Sequence, residues 1–110
     1  MSRLTITCSD WRALHRHTLR GFVVIHIAEL RLTIRDIVVH EKEGRRWVQL
    51  PARPQLDRNQ QLVKDQAGKI LYATLMTWDS RDVSDAFSAR VVEALLGRFP
   101  DAFAEKETAS

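Results

Sequence analysis

Through residue 78, apolar side chains recur mostly at every second position; beyond it they recur every third or fourth. A period of two marks strands and a period of 3.6 marks a helix. Leu4 to Cys8 predicts a short first strand with Leu4 and Ile6 on one face. Ser9 to Thr18 is polar, holds Trp11, His15 and His17, and reads as a loop. Leu19 to Ala28 is strongly β-prone: Val23, Ile25 and Ile27 share one face, and Phe22, Val24 and Ala28 share the other with His26. A strand apolar on both faces is central or covered on each side. The chain then turns at Ala28-Glu29-Leu30 without help from a glycine.

The strand Arg31 to Glu41 changes phase. Leu32 and Ile34 point one way, but after Asp36 the apolar set becomes Ile37 and Val39. Because strand alternation has an exact period of two, the flip requires an inserted residue, a bulge near Arg35-Asp36. Glu41 to Gly44 reads as a hairpin turn, with Gly44 taking a positive φ. Arg45 to Leu50 returns as a strand, and Pro51 ends it. Arg53 to Asn59 reads as a mobile loop. A second hairpin follows, turning at Asp65 to Gly68 and running on as a strand from Lys69 to Trp78. No internal repeat is expected.

At Asp79-Ser80 either residue suits a helix N-cap, with Asp82 in the first turn. Val83, Ala86, Phe87, Val91, Ala94 and Leu95 form one stripe, extended by Phe99, and Gly97 and Pro100 punctuate its end. The order β-β-β-β-β-α predicts an α+β fold: an antiparallel sheet of about five strands with one long C-terminal helix packed on it. A single domain spans residues 1–100, and 101–110 reads as a flexible acidic tail. One helix covers one face of a small sheet, so a second copy is expected to close the other side as a homodimer.

Charge changes the picture through its distribution. Residues 1–58 hold 11 Lys/Arg against 6 Asp/Glu, and residues 59–110 hold 6 against 8. Arginine supplies 13 of the 17 basic residues, which suits bidentate contacts to phosphate or carboxylate. Cys8 is the one cysteine, so neither an internal disulfide nor a cysteine-based structural zinc site is available. His15-x-His17 lacks a spacing that demands metal, and no Ser-His-Asp pairing, phosphate-cradling glycine loop or nucleotide fingerprint is present. The expectation is a protein that is not an enzyme and holds no metal or cofactor. With no apolar stretch of signal-peptide or membrane-helix length, the default location is the cytoplasm.

Two stretches, Ile34-Arg35-Asp36-Ile37-Val38-Val39 and Trp47-Val48-Gln49-Leu50-Pro51-Ala52-Arg53, with Gly44 between them and a C-terminal helix after a strand, resemble the stage V sporulation protein G family of small bacterial regulators. The likeness is that of a distant relative of the phage- or plasmid-associated kind. It implies a homodimer that binds DNA or RNA and modulates expression, through basic residues near the C-terminal helix. The matching positions are Arg81, Arg90 and Arg98. The chain departs from the family where its helix also carries Asp79, Asp82, Asp85 and Glu93, and where the His-Pro step before the helix is missing.

The residues themselves point to a second surface. Arg31, Arg35, Arg45, Arg46 and Arg53 crowd one hairpin and could form a single basic face, with Trp47 as a ring for stacking on unpaired bases. In the bland alternative, Trp47 packs in the core and the arginines pair with Glu41, Glu43 and Asp36. The expected partners are therefore DNA or RNA and a second copy of the chain, with no membrane. The competing expectation is a protein–protein adaptor using the same sheet.

Overall fold

In a computed structural model, which describes residues 4–104, the chain adopts the expected α+β architecture. The strands are β1 (Ile6–Arg16), β2 (Leu19–Ile27), β3 (Leu32–Lys42), β4 (Arg45–Gln49), β5 (Ala52–Pro54) and β6 (Tyr72–Thr74), followed by α1 (Arg81–Arg98). The first four form one antiparallel sheet in the order β1-β2-β3-β4, and β5-β6 form a separate two-stranded ribbon. The helix crosses one face of the four-stranded sheet, touching both its outer strands, β1 and β4.

That face is the core. Val23, Ile25 and Ile27 of β2, Ile37 and Val39 of β3 and Val48 of β4 meet Phe87, Val91 and Leu95, spaced four residues apart on α1. Burying each of these side chains is worth about 1.5–3 kcal/mol, which makes this layer the main source of stability. The helix starts where Ser80 Oγ accepts the Val83 N–H at 3.3 Å. It runs through Gly97 to Arg98, and the Phe99 N–H closes it on Leu95 O at 2.7 Å. Ser88 reaches the sheet edge, accepting the Val48 N–H at 3.1 Å and donating to Val48 O at 3.3 Å. An outward-facing peptide of edge strand β4 is thereby satisfied.

The phase change in β3 is a bulge where the sequence requires one. Val23 pairs with Ile37 and Ile25 with Ile34, so Arg35 and Asp36 together oppose Val24. Asp36 takes the left-handed conformation (φ 59°), which Asp tolerates better than most residues. Its carboxylate accepts from Arg12 at 2.7 Å, and the Arg12 guanidinium spans the Phe22 ring at 5.6 Å. At the other end of β3, the expected turn is a single 3-10 turn, Ala28–Leu30, closed by Arg31 at φ 51°. The Glu29 carboxylate there accepts from Thr5 Oγ1 at 2.6 Å and Thr5 N–H at 2.7 Å, which holds its carboxyl below the ordinary glutamate range.

Three expectations are corrected. The polar segment from Ser9 to Thr18 is not a loop: β1 continues to Arg16 and turns tightly through His17 (φ 56°) and Thr18 into Leu19. A bulge at Asp10 (φ 49°) and Trp11 interrupts it. Trp11 lies against Gly21, where a Cβ would sit 2.6 Å from its ring and 2.4 Å from Arg12 O. This half of β1 is polar because it is an edge strand exposed beyond the helix.

Secondly, Arg53 to Asn59 begins with strand β5, and the long strand expected over Lys69 to Trp78 shrinks to β6. The ribbon leads to a projecting arm containing two five-residue turns, 57–61 and 65–69. In each turn an aspartate Oδ1 accepts two backbone N–H groups: Asp57 from Asn59 and Gln61 at 2.8 and 3.0 Å, Asp65 from Ala67 and Lys69 at 2.9 Å each. The turns repeat with a spacing of eight, against the expectation of no repeat; Asp57 and Asp65, each followed by an aliphatic pair, Leu62-Val63 and Ile70-Leu71, are its trace in the sequence. Thirdly, order extends past residue 100, since Ala102 and Phe103 are buried; the rest of the expected tail, 105–110, lies outside the described residues.

Two outcomes follow from this packing. Phe87 is buried against Trp78, ring centroids 4.9 Å apart, so Phe87→Ala is expected to cost about 3–5 kcal/mol in chemical denaturation. Burial pushes the Cys8 thiol from its ordinary 9.0 up to about 11. The folded state then holds that proton more tightly than the unfolded chain, so stability falls as pH rises between those values. Cys8→Ala should remove this share of the alkaline decline in melting temperature; parallel wild-type and variant profiles would contradict it.

Candidate nucleic-acid interface

The β3–β4 hairpin turns on two residues, Glu43 (φ 49°) and Gly44 (φ 82°), the positive-φ pair that suits the twist of a hairpin. This sets Lys42 opposite Arg45, Glu41 opposite Arg46, His40 opposite Trp47, Val39 opposite Val48 and Val38 opposite Gln49. Directly opposed residues share a face, so the two faces carry different chemistry.

Away from the helix lie Lys42, Arg45, Trp47 and His40. The His40 and Trp47 rings stack, with centroids 5.2 Å apart and planes 12° apart. The Arg45 guanidinium lies 5.6 Å from the Trp47 ring centre. His40 is held at both nitrogens, Nε2 to Gln49 Oε1 at 2.8 Å and Nδ1 to Thr18 Oγ1 at 3.0 Å. An amide oxygen only accepts, so with Gln49 in this orientation Nε2 carries a proton and donates to it, while Nδ1 is paired with the Thr18 hydroxyl. The result is a half-buried indole stacked on a fixed imidazole, with the Arg45 guanidinium over its ring and Lys42 nearby at the hairpin tip.

On the helix side, Arg46 Nε donates to Glu41 Oε2 at 2.8 Å, and its guanidinium covers the Phe103 ring at 4.3 Å. Arg20 approaches the same carboxylate at 3.7 Å. Arg46 therefore ties the segment after α1, at Phe103, to the hairpin and does not share a surface with Arg45. This corrects the expectation of one face holding five arginines. A period of two separates neighbours, and Arg45 and Arg46 are neighbours.

The remaining arginines are dispersed. Arg31 closes the turn at the opposite end of β3, 11 residues from Lys42 and so about 35 Å away at strand rise. Arg35 stands in the bulge beside Asp10, Trp11 and Arg12. Arg53 is exposed on β5. Arg90 donates to Leu4 O and lies 3.8 Å from Glu93, a structural tie to the N-terminal segment. Arg98 is exposed at the end of the helix, where a cation suits the dipole, and covers the Phe99 ring at 5.1 Å. Arg81 lies 3.9 Å from Asp85. The expected four-residue turn, Glu41 to Gly44, puts Lys42 in the loop; the observed turn is only Glu43-Gly44, so Lys42 pairs with Arg45 and His40 with Trp47.

A second feature is apolar. Between the hairpin and the arm runs an open groove of about 1230 Å³, bordered by Phe22, Val38 and His40 on one side and Tyr72, Met76 and Trp78 on the other. Eight of the eleven large hydrophobic side chains exposed among the described residues lie between Leu56 and Trp78. Among the described residues, no three His, Cys, Asp or Glu side chains converge as metal ligands, and no helix is long and apolar enough to cross a membrane. Comparison with protein-family models, curated proteins and solved structures found no match.

The two faces of the hairpin predict opposite responses. Arg46→Ala should lower stability by about 1–2 kcal/mol, because it loses a solvent-screened ion pair with Glu41 together with its cover over Phe103. Arg45→Ala should cost less than about 1 kcal/mol, since it loses one exposed cation–π contact. Equal costs by chemical denaturation would contradict the division of faces.

Proposed function

We propose that this chain is a small dimeric nucleic-acid-binding regulator or accessory protein of the bacterial cytoplasm, without catalytic activity. The observation that carries the reading is the outward column Lys42, Arg45, Trp47 and His40. Cations next to an aromatic ring on one strand face suit a nucleic-acid backbone and an unstacked base. The resemblance of the β3–β4 segment to the stage V sporulation protein G family points the same way. The helix is the weaker candidate surface, because Arg81 and Arg90 have acidic neighbours on their own helix and Arg90 is also engaged with Leu4.

One observation favours an adaptor as the second reading. The apolar base of the arm, from Ile70 to Trp78, and the groove would suit a protein surface, and the dimer we propose would use them, with the copies related by a two-fold axis. The two readings separate by salt. Phosphate contacts weaken steeply as salt rises, whereas an apolar interface does not.

Gel shifts with single-stranded DNA, duplex DNA and RNA at two salt concentrations test the first reading. Combined Lys42→Glu and Arg45→Glu should weaken binding to every sequence and flatten the salt slope by about one unit per lost phosphate contact. Arg90→Glu with Arg98→Glu should do less; the reverse ranking would move the interface to the helix. No binding by the wild type at low salt would favour the adaptor. Light scattering at tens of micromolar should give a dimer, and Leu71→Asp with Tyr72→Asp should give a monomer.

A further inference from the structure

The projecting arm has a construction and a composition unlike the rest of the chain. Three backbone hydrogen bonds close a ring: Gln55 N–H to Leu71 O at 2.8 Å, Leu71 N–H to Val63 O at 2.9 Å and Val63 N–H to Gln55 O at 3.0 Å. The donors are eight residues apart. Three antiparallel pairs radiate from this ring, Pro54 with Tyr72, Leu56 with Leu62 and Lys64 with Ile70. The first is the stem to the body; the other two are short prongs, each closed by its aspartate.

The chain has six Asn and Gln residues, and five of them, Gln55, Asn59, Gln60, Gln61 and Gln66, are in this fork. All five are exposed, and none of their side-chain amides hydrogen-bonds within the described residues. Arg58, Lys64 and Lys69 stand among them, exposed and in no ion pair there. Asp57 and Asp65 are the only acidic residues from 52 to 78, and both accept backbone N–H groups. The acidic balance of the C-terminal half therefore belongs to the helix and its flanks, while the arm is net basic.

Side-chain amides and arginine are the groups that read base edges: Asn and Gln pair with adenine in the major groove, and Arg with guanine. That groove is about 12 Å wide and admits two paired strands, the cross-section of the Leu56–Leu62 prong that carries Arg58 to Gln61. Lysines beside such a ribbon meet phosphates, which position the protein without reading sequence. We infer that the forked tip of the arm, residues 55–69, is a sequence-reading element that enters the major groove of duplex DNA, with Arg58, Asn59, Gln60 and Gln61 on base edges and Lys64 and Lys69 on the backbone. This rests on the proposed nucleic-acid function and assigns specificity to a surface separate from the Lys42–Arg45 column.

Selection from a randomised DNA duplex pool tests it. The wild type should enrich a motif. Asn59→Ala with Gln60→Ala and Gln61→Ala should keep affinity for random duplex within about three-fold and lose about ten-fold or more of the preference for the motif. Asp57→Ala leaves every amide in place but unties the prong, and should lose the same preference with an unchanged melting temperature. A motif retained by the triple variant would overturn the inference and leave the Lys42–Arg45 proposal standing. So would a wild type that binds duplex through charge alone, or one that prefers single strands or RNA. A wild type that binds no nucleic acid would overturn both.

Discussion

The conformation of one residue orients everything that follows it in the sheet. Asp36 takes a left-handed backbone so that two residues of β3 can stand against one of β2. Ile34 and Ile37 consequently both turn toward the helix, although they are three positions apart. Without the extra residue, everything from Ile37 to the end of β4 would present its opposite side. Ile37 and Val39 would meet solvent, and Arg45 and Trp47 would be forced under α1. The same bulge therefore completes the core and delivers the candidate interface to the surface.

The core so formed is one-sided. Phe87, Val91 and Leu95 seal a single face of the sheet, and Ser88 satisfies an outward peptide of edge strand β4. The arm has no comparable cover. A two-stranded ribbon with two short prongs cannot bury a core of its own. Its shape is instead held by local bonds: the three-way ring of backbone hydrogen bonds and the two aspartate-closed turns. Local satisfaction of polar groups explains how the arm keeps a defined shape while its leucines remain exposed.

Charge is sorted by the same geometry. Arg46, Arg20 and Arg90 are engaged with Glu41, Glu93 or main-chain oxygens, and hold parts of the fold together. Lys42, Arg45, Arg58, Lys64 and Lys69 form no ion pair among the described residues. Cations with partners do structural work at modest net gain, whereas those without remain available to an anionic ligand. Counting arginines along the hairpin mixes these two populations.

Much of the fold was legible because its signals are local. The bulge follows from two apolar sets out of phase, the place of the β3–β4 turn from Glu41 to Gly44, and the helix from a change of period at Asp79-Ser80. Other features depended on tertiary context. Ser9 to Arg16 looks like a loop because an edge strand exposed on its outer side needs few apolar residues. The arm repeat is faint in the sequence because only its aspartates, Asp57 and Asp65, recur, and their role lies in bonds to the backbone. The partners of Arg46 and Arg90, Phe103 and Leu4, are remote in sequence, and only folding brings them together. Sequence alone determined the α+β class, the phase change and the helix, since alternation and capping act within a few residues. Which cations face outward, and where the arm projects, was decided by the tertiary structure, because pairing register and long-range contacts set the face of every side chain.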